Sequence, residues 1–73
     1  MKKNNSEISI IINGKDSSAP NNSTIRNLLK ILNINNESIA VAVNQDVIPK
    51  AHYDSYVIQN NSSIEIISAV GGG

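Results

Sequence analysis

Ile8, Ile10 and Ile12 alternate with Ser9 and Ile11 and run into Asn13-Gly14. A period of two sets the three isoleucines on one face of a strand, with Ser9, Ile11 and Asn13 on the other. Asn-Gly tolerates the positive φ angles of a type I′ turn, so the sequence predicts a hairpin in which Lys15 to about Ala19 returns antiparallel. Asp16-Ser17-Ser18 makes that returning strand weak and suits it to a sheet edge.

Pro20-Asn21-Asn22 interrupts the pairing. Ser23 or Thr24 can then cap a helix in which Ile25, Leu28, Leu29 and Leu32 fall at i, i+3, i+4 and i+7. The asparagines of the stretch Asn33 to Asn36 suit its termination. Ile39 to Asn44 reads as a half-buried strand, with Ile39, Val41 and Val43 facing in and the small Ala40 and Ala42 opposite. Asn44-Gln45-Asp46 turns the chain into Val47-Ile48, and Pro49 removes a backbone donor, so this piece is short and ends at an edge. Lys50 to Tyr56 has no clean period and room for one helical turn. Asn60-Asn61-Ser62-Ser63 is a turn cluster, and Ile64 to Ser68 is the last strand.

The order is β-β-α-β-(short β)-β. A hairpin cannot join the first and last strands, so the last one enters beside the first in the centre of the sheet. The fold class is α+β, a mixed sheet with one main helix on one face, the β-grasp arrangement.

Size and composition remove several functions. Seventy-three residues, 40% of them hydrophobic, make one domain that buries only roughly 60% of its unfolded surface. Its outer parts are read as a flexible segment 1–6 and a flexible glycine tail 70–73. With thirteen Ile, no Phe and no Trp, the core is aliphatic. Six basic and six acidic side chains cancel, which gives no field for nucleic acid. Without Cys there is no disulfide, thiolate metal site or side-chain persulfide. The basic Met1-Lys2-Lys3 is followed by polar residues instead of an apolar segment, and no apolar run approaches the roughly 20 residues that span a bilayer. The chain therefore reads as intracellular. Its twelve Asn produce several Asn-x-Ser/Thr triplets, which without a secretion signal are compositional.

No phosphate-binding glycine motif, nucleophile motif or His cluster is present. His52 reads as a surface residue, Tyr53 and Tyr56 as core or contact surface, and Asp46 and Asp54 lack calcium-loop spacing. A self-contained enzyme is not expected. The informative feature is Gly71-Gly72-Gly73. Three residues without a Cβ can pass through a channel too narrow for any side chain. The group they deliver is a carboxylate, which adenylylation can activate and a sulfur nucleophile can convert to a thiocarboxylate. The plain alternative is a frayed or cloned tail.

Residues before the tail carry more. Ala42-Val43-Asn44, then Val47-Ile48-Pro49-Lys50 with Tyr53 three positions on, and Ile64-Glu65-Ile66-Ile67-Ser68-Ala69-Val70-Gly71-Gly72-Gly73 resemble the ThiS sulfur carriers of thiamine biosynthesis. Ile12-Asn13-Gly14 and the Thr24-Ile25 to Leu28-Leu29 helix start are also similar. The resemblance covers nearly the whole chain from Glu7, and it departs from the family in Lys50, where Arg is frequent, and Tyr53, where the aromatic is often Trp.

That resemblance implies the ubiquitin-like β-grasp fold and a protein substrate, not a catalyst. Gly73 would be adenylylated by an E1-like, ThiF-like adenylyltransferase using ATP and Mg²⁺, with no cofactor bound by this chain. Sulfur would come through a cysteine desulfurase, and the thiocarboxylate would pass to a ThiG-like thiazole synthase. Gly72 and Gly71 would give access to both sites. The carrier would be monomeric when free and would work in a cytoplasm, or in the plastid stroma if organelle-encoded.

With Ile8, Ile10 and Ile12 under the helix, Ile11, Ala42 and Ile67 face the other way. Contiguous apolar side chains there mark a partner-docking patch, to which Val70 at the base of the tail is added. The rival readings are a molybdopterin synthase small subunit, a ubiquitin-like modifier and a binding module without terminal chemistry. The first commonly has Pro-Pro and aromatics before its glycines, where Ser68-Ala69-Val70 stand here.

Overall fold

The computed structural model describes residues 7–34 and 38–68. Strands β1 (Glu7–Ile12) and β2 (Lys15–Pro20) are followed by helix α1 (Ile25–Ile31) and by strands β3 (Ile39–Val43) and β4 (Asp46–Ile48). A 3₁₀ turn at Lys50–His52 and strand β5 (Ser62–Ser68) complete the order. The strands form one sheet in the order β2-β1-β5-β3-β4. β5 lies parallel to β1 and antiparallel to β3, so the first and last strands are central neighbours and β2 and β4 are the edges. This is the β-grasp arrangement of one helix on a mixed sheet.

Both hairpins rest on backbone that few residues adopt. Asn13 (φ 49°) and Gly14 (φ 84°) join β1 to β2, and Asn44 (φ 51°) and Gln45 (φ 76°) join β3 to β4. Two consecutive positive φ angles define the turn whose twist matches that of the flanking strands. Across the first hairpin Ile12 faces Lys15 and Glu7 faces Pro20, so β2 extends one residue beyond Ala19.

Every early backbone donor of α1 has a partner. The Asn27 N–H donates to Oγ1 of Thr24, the N-cap, at 3.1 Å, and the Thr24 N–H donates to Oδ1 of Asn27 at 3.0 Å. The Ile25 and Arg26 N–H groups donate to the carbonyls of Tyr56 (3.1 Å) and Tyr53 (2.9 Å). These are the donors that a helix start otherwise leaves without an intrahelical bond. At the other end Asn33 takes φ 61°, and the Asn33 and Ile34 N–H groups donate to the Lys30 and Leu29 carbonyls, a Schellman ending.

Ile25, Leu28 and Leu29 pack into one core with Ile8, Ile10, Val41, Val43, Ile64 and Tyr53. Each such side chain contributes roughly 1.5–3 kcal/mol by leaving water. Leu32 differs from the sequence reading: it is the C-cap of a seven-residue helix and is exposed, because the helix ends before the stripe returns to the core. β5 also begins at Ser62 instead of Ile64. Ser62 is buried there because its hydroxyl donates to the Gln59 carbonyl at 2.7 Å.

Candidate functional site

β5 is the strand that leads toward the glycines; asparagine carboxamides hold it at two levels, and a third ties the turn before it to β1. Oδ1 of Asn60 accepts from the Ser9 N–H at 2.8 Å. Oδ1 of Asn44 accepts from the Ser63 N–H at 2.9 Å, while the Asn44 N–H donates to the Ser63 carbonyl at 2.7 Å. Oδ1 of Asn13 accepts from the Ile66 N–H at 2.8 Å, and its Nδ2 donates to the Ile66 carbonyl at 3.3 Å. Short carboxamides at turns mimic strand backbone, so the ladder around β5 continues past the residues that belong to strands.

The sheet has two unlike faces. Residues opposite one another in register share a face, so Ile10, Ser62, Ile64, Val41 and Ile48 point to the helix. Ile11, Asp16, Ser63, Glu65, Ala40, Ala42, Val47 and Ile67 point away from it. Val47 is 71% exposed, Ile67 57% and Ile11 40%. Ala42 is only 6% exposed, yet it is outside the helix-side core. It sits in register between Val47 and Glu65.

The register brings some of the sequence-derived residues together and keeps one apart. Ile67 lies opposite Ala40, two residues along β3 from Ala42, which lies opposite Val47. These four make one apolar area toward the β4 side. Ile11 is level with Ser63, one strand over and four residues back from Ile67, with Glu65 between those levels. Sequence reasoning missed Val47, although its place opposite Ala42 across a two-residue turn was available from the Asn44-Gln45 signal. Val70, Gly71, Gly72 and Gly73 lie outside the described residues, as do residues 1–6.

Register places the charged residues Asp16 and Glu65 on this face. An ion pair joins Nε of Arg26 to Oδ1 of Asp54 at 2.8 Å on the helix side. His52 is exposed, and no group of three His, Asp or Glu among the described residues could hold a metal ion. No helix of the described residues is long and apolar enough to cross a membrane.

Comparison with known proteins agrees with this architecture. The ThiS family model matches residues 4–73. The ycf40 protein of Porphyra purpurea is 36% identical over 69 residues, covering 94% of this chain and 97% of that protein. A thiazole synthase of Paramagnetospirillum magneticum is 28% identical over 64 residues, which is 88% of this chain but 20% of that enzyme. The crystal structure of the thiamine biosynthesis protein ThiS from Geobacter metallireducens superposes with a TM-score of 0.77 at 23% identity, covering 90% of this chain and all of that one. The chain belongs to the ThiS family, the small sulfur carriers of thiamine biosynthesis, and it is a carrier with the β-grasp fold rather than an enzyme.

Proposed function

We propose that the Gly73 carboxylate is the group this carrier loads and delivers. A carboxylate oxygen attacks the α-phosphorus of ATP on an E1-like activating enzyme, forming the acyl-adenylate and releasing pyrophosphate. A persulfide sulfur supplied through a cysteine desulfurase then attacks the acyl carbon, the C–S bond forms and AMP leaves. A thiol reductant cleaves the S–S bond of the acyl disulfide, so that the sulfur stays on the carrier. The resulting thiocarboxylate donates its sulfur to a thiazole synthase. Gly71 and Gly72 allow the group to enter narrow active sites because they carry no Cβ. ATP and Mg²⁺ belong to the activating partner.

The observation that carries this reading is the family match continuing through the glycines to residue 73. The thiazole synthase relatives support the acceptor: a stretch equal to a fifth of such an enzyme is similar to most of this chain. The apolar area of Ala40, Ala42, Val47 and Ile67 is the docking face for these partners, and Val70 is assigned to the same contact from the sequence alone. The carrier acts in a bacterial cytoplasm or, if organelle-encoded, in the plastid stroma.

Pyrophosphate exchange into ATP tests the first step. The activating enzyme should catalyse exchange in the presence of the full chain and not with a version lacking Gly73. Exchange that is equal with both would remove the terminal glycine from the mechanism. Formation of stable lysine conjugates on a denaturing gel, with no transferable sulfur, would favour the modifier reading instead.

A further inference from the structure

We propose that Asn13 is a positioning residue for loading, resting on the carrier reading above: its carboxamide takes hold of β5 where β1 turns away and fixes how the chain departs toward Gly73. The pairing of β1 with β5 ends at Ile12↔Ile64, because Asn13 and Gly14 take φ 49° and 84° and carry the backbone into the hairpin. β5 continues to Ser68. On that last stretch the other neighbour, β3, is in register through Ile39↔Ser68, so one edge of the strand is held by backbone.

On the opposite edge the Asn13 N–H still donates to the Ile64 carbonyl at 2.8 Å. In a regular parallel ladder the next bond would run from the Ile66 N–H to the backbone carbonyl of residue 13. Here Oδ1 of Asn13 accepts that N–H at 2.8 Å instead, and Nδ2 donates to the Ile66 carbonyl at 3.3 Å. One side chain therefore replaces a strand residue for Ile66, two positions before β5 ends.

Consequences for loading follow from chain length. Gly73 is the fifth residue after Ser68, a reach of at most roughly 17 Å, so the direction of Ile66–Ser68 restricts where the carboxylate can arrive. Releasing one edge of β5 widens that set of directions and makes the ordered, engaged tail costlier. The chemical step at Gly73 is unaffected. The loss is therefore felt in the apparent KM for the carrier and not in kcat.

Asn13→Gly keeps the positive-φ turn and removes both bonds, whereas Asn13→Asp keeps the acceptor for the Ile66 N–H and loses the donor to its carbonyl. The test measures amide hydrogen exchange at Ile66 and Ile67 in the full-length chain, and KM and kcat for pyrophosphate exchange with the activating enzyme. For Asn13→Gly the expected result is exchange at Ile66 faster by about tenfold with Ile67 unchanged, and KM raised by roughly fivefold, the size of one net hydrogen bond, at constant kcat. Asn13→Asp should fall between this variant and the parent, and it decides the matter if the glycine variant does not fold. Unchanged Ile66 exchange would overturn the clamp. Faster Ile66 exchange with the parental KM would reduce Asn13 to a structural residue and overturn its positioning role. A parent chain that the enzyme does not activate would overturn the carrier chemistry, and this role with it.

Discussion

The backbone N–H of Arg26 donates to the carbonyl of Tyr53 at 2.9 Å, and the Arg26 guanidinium lies over the Tyr53 ring at 5.7 Å from its centroid. Tyr53 is 1% exposed. The same residue thus fills the core under the helix start, caps one of its free donors and provides a face for a cation. The nearby Arg26–Asp54 pair is largely exposed at Asp54, and such pairs contribute about 0–1 kcal/mol. Burial of the ring is the larger effect.

Tyr53→Ala should therefore destabilise the fold by about 3–5 kcal/mol, the usual range for truncating a buried aromatic, while Asp54→Ala should cost under about 1 kcal/mol. Urea unfolding of the two variants checks this ordering. Equal losses would mean that the ion pair, and not the ring, holds the 53–58 segment to the helix.

Thr24→Ala removes the side-chain acceptor for the Asn27 N–H. A lost N-cap costs about 1 kcal/mol, which in a domain of this size lowers the thermal midpoint by roughly 4–8 °C. Combining it with Asn27→Ala should give less than the sum of the two single losses, since both act on the same reciprocal pair. Thermal unfolding of the three variants measures the coupling.

Gly14→Ala tests the first hairpin. No atom lies within 4 Å of a Cβ built at Gly14, so the cost is conformational, about 1–2 kcal/mol for an L-residue at φ 84°. Gly14→Asn should cost less, because Asn visits that region more readily. A neutral alanine in denaturant unfolding would show that the turn adopts another geometry.

Val47→Asp and Ile67→Asp should abolish or strongly weaken binding to the activating enzyme. Both side chains are mostly exposed and share one face with Ala40 and Ala42. Val47→Asp should change stability by no more than about 0.5 kcal/mol, as is usual for exposed positions. Ile11→Asp should weaken binding less than either, since the register sets Ile11 apart from Ile67. Titration calorimetry with the partner gives the ranking; a dominant effect at Ile11 would move the docking face toward β1 and β2.

Much of this was legible in the residues. The alternation at Ile8 to Ile12, the Asn13-Gly14 turn and the helix stripe at Ile25, Leu28 and Leu29 placed the hairpin, the helix and the central pairing of the first and last strands. The separation of Ile11 from Ile67 was not legible, because period two assigns a face but only the β1–β5 register assigns a level along it. Ser62 read as turn because a serine on an inner face is tolerable only when its hydroxyl finds a partner, here the Gln59 carbonyl.

The asparagines read as turn and helix-end signals, and the bonds that their carboxamides make to strand backbone were the largest omission. As composition they say nothing about mechanism, but Asn13, Asn22, Asn33, Asn44 and Asn61 all take positive φ, the backbone region that Asn tolerates better than other L-residues with a Cβ. Asn13, Asn44 and Asn60 also lend carboxamides to strand backbone.

The central claim is tested most directly by the intact mass of the chain after incubation with the activating enzyme, ATP, Mg²⁺ and a sulfur donor, beside a version lacking Gly73. A gain equal to one oxygen replaced by sulfur, present in the full chain and absent from the deletion, is the result this account requires. No adenylate and no sulfur gain, with the same enzyme active on another carrier, would contradict it.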